Sequence, residues 1–310
     1  MTDQAGHLPR HFPRHFIDEH DLTRNEFNAL IANAIELKAS RKRGEIRDTL
    51  RNRTLAMIFE KASTRTRTSF EAGMVQLGGH AINLSPTDSQ LGRGEPIDDT
   101  AKVLSEMVDA ALLRTHSHST IEQFAGVSAI PVINGLSDKL HPCQLLADMQ
   151  TFYELRGSIE GARITWLGAG NNMCNSYINT ARLLGFTLKI ACPTELNPDP
   201  ALLQQCADCV ELTEDVRAAC GGADALVTDV WASMGEEQAR DRLTQLLTPY
   251  QVNDDLLQLA SKDAIFMHCL PAHRGEEVTA SVIDGPQSVV WQEAGNRLHA
   301  QKALLELLLL

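Results

Sequence analysis

The stretch TLAMIFEKASTRTRTSF, residues 54–70, indicates the fold class of this chain. Its first six residues form an apolar run with the length of a buried strand. From about Thr66 the spacing becomes helical, with Phe70 and Met74 on one face and a pair of glycines, at positions 78 and 79, where the helix ends. A buried strand that leads straight into a helix is the repeating unit of α/β folds.

The same alternation continues outward from this stretch. Further strands are predicted at residues 80–84, 110–114, 130–134, 163–168, 187–192, 227–230 and 265–270, and helices at 99–108, 121–127, 142–156, 172–184 and 200–206. Strands that alternate with helices form parallel sheets covered on both faces. We therefore predict an α/β fold of two doubly wound parallel-sheet domains linked by interdomain helices. The predicted domains are residues 1–145 and 146–292, and residues 293–310 form a C-terminal helix that packs back on the first domain.

The chain is acidic, and its 310 residues suit two domains. It carries 28 Lys and Arg against 40 Asp and Glu, a formal charge of −12. Such a surface disfavours nucleic acids and anionic membranes as partners. The first 16 residues lack the apolar core of a secretory signal, and the apolar C-terminal end is too short to span a bilayer.

The seven cysteines are odd in number and show no disulfide spacing, which predicts a reducing, cytoplasmic location. Cys206 and Cys209 form a lone CxxC motif inside a helical pattern. Zinc requires a second pair of ligands at a workable spacing, and the sequence offers none. We therefore expect no metal site.

The run Ser63, Thr64, Arg65, Thr66 and Arg67 lies where the first strand gives way to its helix. Hydroxyls and free backbone N–H groups at a helix N-terminus attract anions, and arginines add charge-assisted hydrogen bonds to phosphate oxygens. The run lacks the glycines and the GK[ST] ending of a Walker loop. Taken alone, it fits a phosphate site and a solvated, capped basic turn equally well.

His141 and Gln144 stand at the start of the helix that joins the two halves. A histidine in this place is suited to polarise a carbonyl, and a glutamine amide is suited to bind a urea-like group. The pattern alone does not distinguish these roles from a purely structural histidine, which is the commoner case.

Gly168 and Gly170 follow a strand and begin a pattern similar to a dinucleotide-binding turn. Met173 stands where the third glycine belongs, and the next strand does not end on an acidic residue. Binding of NAD is therefore not expected. A tight turn that presents Asn171 or Asn172 fits the pattern better.

Asp229 ends a strand and precedes a small polar run that contains Ser233 and Met234. A carboxylate followed by such a run is suited to bind an amino acid. A helix cap explains the same residues equally well.

His268 and Cys269 precede Leu270 and Pro271 at the end of the last predicted strand. They suggest a metal cluster or a Cys–His nucleophile, but neither is convincing. Instead, the proline turns the chain and so presents the backbone carbonyl of Leu270. Arg297, in the C-terminal helix, would by itself be a surface charge.

Together these motifs resemble the aspartate/ornithine carbamoyltransferase family over nearly the whole chain. Asp229 and the segment 233–235 resemble the branch that uses ornithine. The matching elements, in chain order, are Ser63-Thr64-Arg65-Thr66-Arg67, Arg114, His141-Pro142-Cys143-Gln144 and His268-Cys269-Leu270-Pro271.

The resemblance implies two substrate sites, carbamoyl phosphate on the first domain and ornithine on the second. The residues implied for carbamoyl phosphate are Ser63, Thr64, Arg65, Thr66, Gln90, Arg114, His141, Gln144, Cys269, Leu270 and Arg297. Those implied for ornithine are Asn172, Asp229, Ser233 and Met234, and the implied catalytic residues are Arg114, His141, Asp229 and Cys269. Gln90 would come from a neighbouring subunit, which implies a homotrimer with shared active sites.

By the same resemblance, the chain would transfer the carbamoyl group of carbamoyl phosphate to the δ-amine of L-ornithine, giving L-citrulline and phosphate in arginine biosynthesis. No cofactor or metal is implied. One alternative is a different amine acceptor, putrescine or an acylated ornithine; another is a non-catalytic carbamoyltransferase-like subunit. Ala169 stands where the family often has Asp, which makes Asn172 a weaker candidate than Asp229.

Overall fold

Two parallel sheets, one in each half of the chain, organise the fold in a computed structural model that describes residues 14–85, 94–232 and 240–310. Every pair of neighbouring strands within these sheets is parallel. This confirms the predicted class, an α/β fold with two parallel-sheet domains. The strands of the first sheet are β1 (Thr54–Phe59), β2 (His80–Leu84), β3 (Ala110–Arg114) and β4 (Val132–Leu136), and those of the second are β5 (Arg163–Leu167), β6 (Thr187–Ala191), β7 (Val210–Thr213), β8 (Ala225–Thr228) and β9 (Ile265–His268).

Helices follow most of the strands. They are α1 (Arg24–Lys42), α2 (Thr64–Gln76), α3 (Ile97–Ser105), α4 (His118–Val127), α5 (Pro142–Arg156), α6 (Asn172–Leu184), α7 (Pro200–Gln205), α8 (Val216–Cys220), α9 (Arg240–Leu247), α10 (Asp254–Leu257), α11 (Ala280–Ile283) and α12 (Val290–Leu309).

Several predicted boundaries were wrong by two or three residues. Helix α2 begins at Thr64 rather than Thr66, because Ser63 already has the extended backbone of an N-cap. Strands β4 and β8 lie two residues after and two residues before their predicted places, and α3 lies two to three residues early. Strand β7 was missed. It is an edge strand that pairs only with β6 and is nowhere fully buried, so its apolar pattern is weak.

The strand order creates one switch point in each sheet. The orders are β2-β1-β3-β4 and β7-β6-β5-β8-β9. The direction in which strands are added reverses between β1 and β3 in the first sheet, and between β5 and β8 in the second. Phe59 pairs with Arg114, and Leu167 pairs with Thr228. Ligands of open α/β sheets bind beyond the carboxyl ends of such strands. The turns after β1 and β5 therefore each lie beside the end of a neighbouring strand.

Helices α5 and α12 join the two halves. Every residue from Pro142 to Phe152 is buried, and α12 packs against α1, α2, α5 and β9. One apolar cluster contains Met57 of β1, Leu146 of α5 and Trp166 of β5. The polar side chains between Pro142 and Phe152 are consequently shielded from solvent and must find partners inside the protein. The predicted residue boundaries of the domains stay a prediction.

Within the described ranges, no helix combines the length and the apolar character needed to cross a membrane.

Candidate active site

The turn after β1 presents a set of donors at the start of α2. Ser63 is the N-cap residue, and its hydroxyl makes no capping hydrogen bond to the described part of the helix. Ser63 and Arg65 are half-buried, Thr64 is exposed and Thr66 is only 1% exposed. The first N–H groups of an α-helix have no partners within the helix, so this turn is suited to bind an anion.

Arg65 and Arg67 have different surroundings, although they are two residues apart. Arg67 is exposed and forms a surface ion pair with Glu71, with 3.4 Å between Nε and Oε2. Burial is the main cause that lowers the pKa of Arg114 and of His141, and the charge of Arg65 lowers both further, so Arg65 acts electrostatically on the two side chains. The run therefore divides into an inward-facing arginine and a surface arginine.

Thr66 joins parts of the chain that are far apart in sequence. Its Oγ1 accepts hydrogen bonds from Arg114 Nη1 at 3.2 Å and from Arg297 Nη2 at 3.1 Å. Arg297 Nη1 also donates to Gln144 Oε1 at 2.5 Å. The Gln301 amide, with its oxygen towards Arg297, accepts from Nε and Nη2, both at 2.9 Å. Arg297 is therefore a buried, fixed group and not a surface charge.

His141 is the N-cap residue of α5 and is 4% exposed. Its backbone N–H donates to Ser176 Oγ at 2.8 Å, while Nδ1 has no hydrogen-bond partner among the described residues. Burial, followed by the charges of Arg297, Arg114 and Arg65, holds the pKa of His141 well below its usual value. The imidazole is therefore neutral at pH 7.

Arg114 stands at the end of β3 in a strongly cationic environment. Burial, and then the charges of Arg297 and Arg65, lower its pKa to about 10. Its Nε lacks a hydrogen-bond partner in the described part of the protein. An anion bound beside these guanidinium groups would relieve their mutual repulsion.

A second group of polar side chains lies at the carboxyl ends of β8 and β9. Asp229 Oδ1 accepts from Cys269 Sγ at 3.0 Å and from the Val230 N–H at 2.7 Å, and its Oδ2 accepts from Asn171 Nδ2 at 3.3 Å. Burial and Asp229 raise the pKa of Cys269 well above its usual value. Cys269 is thus a protonated thiol that donates to a carboxylate.

The side chains of Asn171 and Asn172, which follow β5, form hydrogen bonds with different partners. Asn171 caps α6, since its Oδ1 accepts from the N–H groups of Met173 and Cys174 at 3.0 and 3.1 Å. Asn172 instead donates from Nδ2 to the carbonyl of Ser137 at 2.7 Å. Asn171, which the predicted site omitted, is the asparagine that reaches Asp229.

Leu270 forms the turn after β9, with φ of 58° and a cis peptide bond to Pro271. Its N–H donates to His268 Nδ1 at 2.8 Å, and His268 Nε2 lies 3.2 Å from Glu277 Oε1. His268 therefore stabilises the turn by accepting a hydrogen bond from the backbone of Leu270.

Ligand-type atoms of Asp229, His268 and Cys269 lie within 4.8 Å of one another. These atoms already have protein partners, and the protonated thiol is a poor metal ligand. The arrangement therefore fits a hydrogen-bonded substrate pocket better than a metal centre.

Sequence reasoning also missed the groups behind Gln144. Its Nε2 donates to Asp148 Oδ1 at 2.8 Å and to Glu293 Oε1 at 3.0 Å. The i, i+4 spacing of Gln144 and Asp148 was the one signal available for them. Gln90, Ser233 and Met234 lie outside the described residues.

Residues 14–154 match the model of the family described as "Aspartate/ornithine carbamoyltransferase, carbamoyl-P binding domain", and residues 160–308 match "Aspartate/ornithine carbamoyltransferase, Asp/Orn binding domain". The ornithine carbamoyltransferase of Methylococcus capsulatus is 60% identical over 96% of this chain and 99% of its own length. "Ornithine carbamoyltransferase 1, anabolic" of Pseudomonas savastanoi pv. phaseolicola is 57% identical over 95% of this chain and 96% of its own.

Among solved structures, the ornithine carbamoyltransferase of Burkholderia thailandensis matches with a TM-score of 0.90 and 48% identity, over 96% of this chain and 99% of that one. Both the sequence and the three-dimensional fold are therefore shared along nearly the entire chain. The chain belongs to the aspartate/ornithine carbamoyltransferase family.

Proposed function

We propose that this chain transfers the carbamoyl group of carbamoyl phosphate to the δ-amine of L-ornithine, giving L-citrulline and phosphate. The observation that carries the proposal is the cationic cluster Arg65, Arg114 and Arg297 around Thr66, at the N-terminus of α2. A dianionic phosphate fits this cluster in charge and in hydrogen-bond donors. The 60% and 57% identity to two ornithine carbamoyltransferases supports ornithine as the acceptor.

The carbamoyl carbonyl lies next to the phosphate, so its oxygen belongs near Thr66, Arg114 and His141. The δ-amine attacks the carbonyl carbon as a neutral nitrogen, and the carbonyl oxygen becomes an oxyanion. Arg114 supplies a fixed positive charge to that oxygen, and preorganised donors of this kind contribute about 10²–10³ in rate each.

The intermediate collapses when the bond between the carbamoyl carbon and the phosphate oxygen breaks. The electron pair of that bond leaves with phosphate, which the cluster of arginines holds. The proton that the attacking nitrogen loses neutralises the leaving oxygen, so hydrogen phosphate is the product.

Gln144 and the Leu270 carbonyl are proposed to accept the two hydrogens of the carbamoyl NH₂. Gln144 Oε1 already faces the cluster through its hydrogen bond with Arg297. Asp229 and Cys269 are proposed to face the amine of ornithine, because they form the polar group at the ends of β8 and β9.

Arginine biosynthesis is the proposed direction, since one of the relatives is named anabolic. A cytoplasmic location is proposed as well. All seven cysteines are free thiols, six of them without a role in the proposed chemistry, as suits a reducing compartment.

A homotrimer with shared active sites is proposed on the family resemblance of the segment around Gln90. A groove of about 880 Å³ between α1, α2 and α12 borders the proposed phosphate site and contains Thr64 and Arg65. It also carries Lys38, Arg41 and Lys42. A segment from a second subunit that reached this groove would stand next to the phosphate.

The activity is tested by incubating the purified protein with carbamoyl phosphate and a panel of acceptors: ornithine, putrescine and N-acetylornithine. Citrulline from ornithine, with much slower product formation from the other two, is the expected result. A folded protein that forms no citrulline would sink the proposal. Faster reaction with putrescine or the acylated amine would assign a different acceptor, and sedimentation of the same sample tests the trimer.

A further inference from the structure

Two buried carboxyl groups, Asp148 of α5 and Glu293 of α12, stand behind Gln144 and have no part in the chemistry described above. Each residue is 1% exposed. Gln144 Nε2 donates to Asp148 Oδ1 at 2.8 Å and to Glu293 Oε1 at 3.0 Å. An amide nitrogen carries two hydrogens, so the pair of carboxyl groups occupies both.

These contacts determine which end of the Gln144 amide faces the proposed carbamoyl site. The oxygen and nitrogen of a glutamine amide are similar in shape, and only their partners decide the orientation. With the nitrogen held by two carboxyl groups, the oxygen points towards Arg297, which donates to it at 2.5 Å. In the reversed orientation, an N–H would face the carbamoyl NH₂, and two donors would oppose each other.

Glu293 also reaches the other half of the chain. Its Oε2 accepts from the backbone N–H of His268 at 2.9 Å. His268 in turn accepts the Leu270 N–H on its ring nitrogen at 2.8 Å. One carboxyl group thus connects Gln144 to the turn that contains Leu270, and these are the two groups proposed to bind the same NH₂.

The charges around the pair favour one proton shared between the two carboxyl groups. Burial raises the pKa of Asp148 to about 6 and that of Glu293 further above its usual value, and Asp148 also raises the pKa of Glu293. Asp148 Oδ2 accepts from the Tyr177 hydroxyl at 2.7 Å. Arg297 is a cation that acts on both carboxyl groups and favours their charged form, and the protonated Cys269 thiol adds no charge. One remaining negative charge on the pair balances the single charge of Arg297.

We propose that Asp148 and Glu293 are positioning residues that share one proton and hold Gln144 and residues 268–270 in the arrangement that accepts the carbamoyl NH₂. This inference rests on the proposed carbamoyl transfer. Neither carboxyl group touches the reacting atoms, so both act through Gln144 and the backbone.

The test is a double-mutant cycle on Asp148→Asn and Glu293→Gln, with steady-state kinetics for carbamoyl phosphate. In each single variant the remaining carboxyl group ionises, so the negative charge opposite Arg297 is kept. The amide that replaces a carboxyl group has one acceptor oxygen instead of two, and its N–H donors compete with Gln144 Nε2 for the acceptor that remains. The weaker hold on Gln144 raises KM for carbamoyl phosphate about 10-fold, while kcat changes less than about 3-fold, because the NH₂ contact exists in both ground and transition states. The double variant loses the charge as well, so its KM rises about 10³-fold, above the 10²-fold product of the single effects.

Asp224→Asn is the matched control. Asp224 is a partly buried carboxylate just before the amino end of β8, away from the strand ends that carry the proposed site, and its Oδ2 accepts from the Arg163 N–H at 2.9 Å. Its loss lowers the melting temperature but leaves KM for carbamoyl phosphate within about 2-fold. Tyr177→Phe removes a contact of Asp148 without touching Gln144, and it raises KM about 3-fold. If an Asp148 or Glu293 variant fails to fold, the KM of Tyr177→Phe tests the inference: a rise of about 3-fold supports it, and an unchanged KM overturns it.

Distinct results separate this inference from the proposed function. Wild-type protein that forms no citrulline would overturn the function. Active wild-type protein overturns the inference if the folded single variants keep the wild-type KM, or if the double variant equals the product of the singles. A lower melting temperature with unchanged KM would likewise show a role in stability alone.

Discussion

Arg297 Nη2 donates to Thr66 Oγ1 at 3.1 Å, across 231 positions of sequence. The last helix of the chain thereby completes a site that begins at the first strand. Arg114 donates to the same oxygen at 3.2 Å, so three separate elements meet at one hydroxyl. A site assembled in this way depends on the packing of α12 as much as on the residues of the turn.

Arg65→Ala is expected to raise KM for carbamoyl phosphate about 10²-fold, because charge-assisted hydrogen bonds are worth about 1.5–3 kcal/mol. Arg67→Ala is the matched control. Arg67 is exposed and pairs with Glu71 on the surface, so its removal changes KM less than about 2-fold. Circular dichroism checks the fold of both variants. Equal kinetics for the two would show that the inward position of Arg65 has no role in phosphate binding.

His141→Ala is expected to lower kcat about 10²-fold with a smaller change in KM, since the proposed contact strengthens as the oxyanion forms. The pKa of His141 lies well below its usual value because of burial and three arginines, so the ring stays neutral at the pH where an ordinary histidine gains its proton. Titration of its ring nitrogens by NMR checks this. His20→Ala, at an exposed position, should leave kcat unchanged. A ring that gains its proton near pH 6.5 would contradict the prediction.

Asp229→Asn is expected to raise KM for ornithine about 10²-fold, because a carboxylate that faces an ammonium or amine group loses its charge. Carbamoyl phosphate is assigned chiefly to Arg65, Arg114 and Arg297, so its dissociation constant should change less than about 3-fold. Isothermal calorimetry with carbamoyl phosphate and kinetics with ornithine measure the two effects. Similar losses of affinity for ornithine and for carbamoyl phosphate would contradict the prediction that Asp229 acts in a pocket specific to ornithine.

Glu19→Gln is expected to change the pH dependence of stability. Glu19 is fully buried, and burial raises its pKa to about 8 from a usual value near 4.5. Between about pH 4.5 and pH 8, Glu19 therefore keeps a proton in the folded protein that it has lost in the unfolded chain. The neutral carboxyl group makes its full contribution to the free energy of unfolding below about pH 4.5, and this contribution is lost as the pH rises to about 8.

The glutamine variant carries no such proton, so its stability relative to wild type should improve between pH 5 and pH 9. A gain of about 4 kcal/mol is expected, because pKa values of 4.5 and about 8 leave about three units of titration between pH 5 and pH 9, and each unit corresponds to about 1.4 kcal/mol. Urea unfolding of both proteins at the two pH values measures the gain. Parallel stability curves would show that Glu19 is ionised in the folded protein.

Local sequence was enough to predict the sheets because their signals are local. Strands β1, β3 and β5 are short apolar runs followed by helix starts, and the pattern is complete within about 20 residues. It failed at the edge strand β7, whose half-exposed residues Val210–Thr213 lack a continuous apolar run. Boundaries shifted where a cap, such as Ser63, preceded the first apolar position of the helix.

The residue types of the candidate site were also readable from the sequence: the hydroxyl and arginine run, His141 with Gln144, and the turn that ends in Leu270. The spatial arrangement of these residues could not be predicted from the sequence. The role of Arg65 rather than Arg67 depends on distant groups, because Arg65 acts on Arg114 and His141. The choice of Asn171 over Asn172 as the partner of Asp229, and the position of Glu293 behind Gln144, also depend on contacts between distant segments. The sequence by itself determined the repeating strand–helix order and the inventory of polar groups, because both follow from local periodicity and composition. Only the tertiary structure decided which of those groups are buried together, because burial and electrostatics depend on the packing of α5 and α12 between the two sheets.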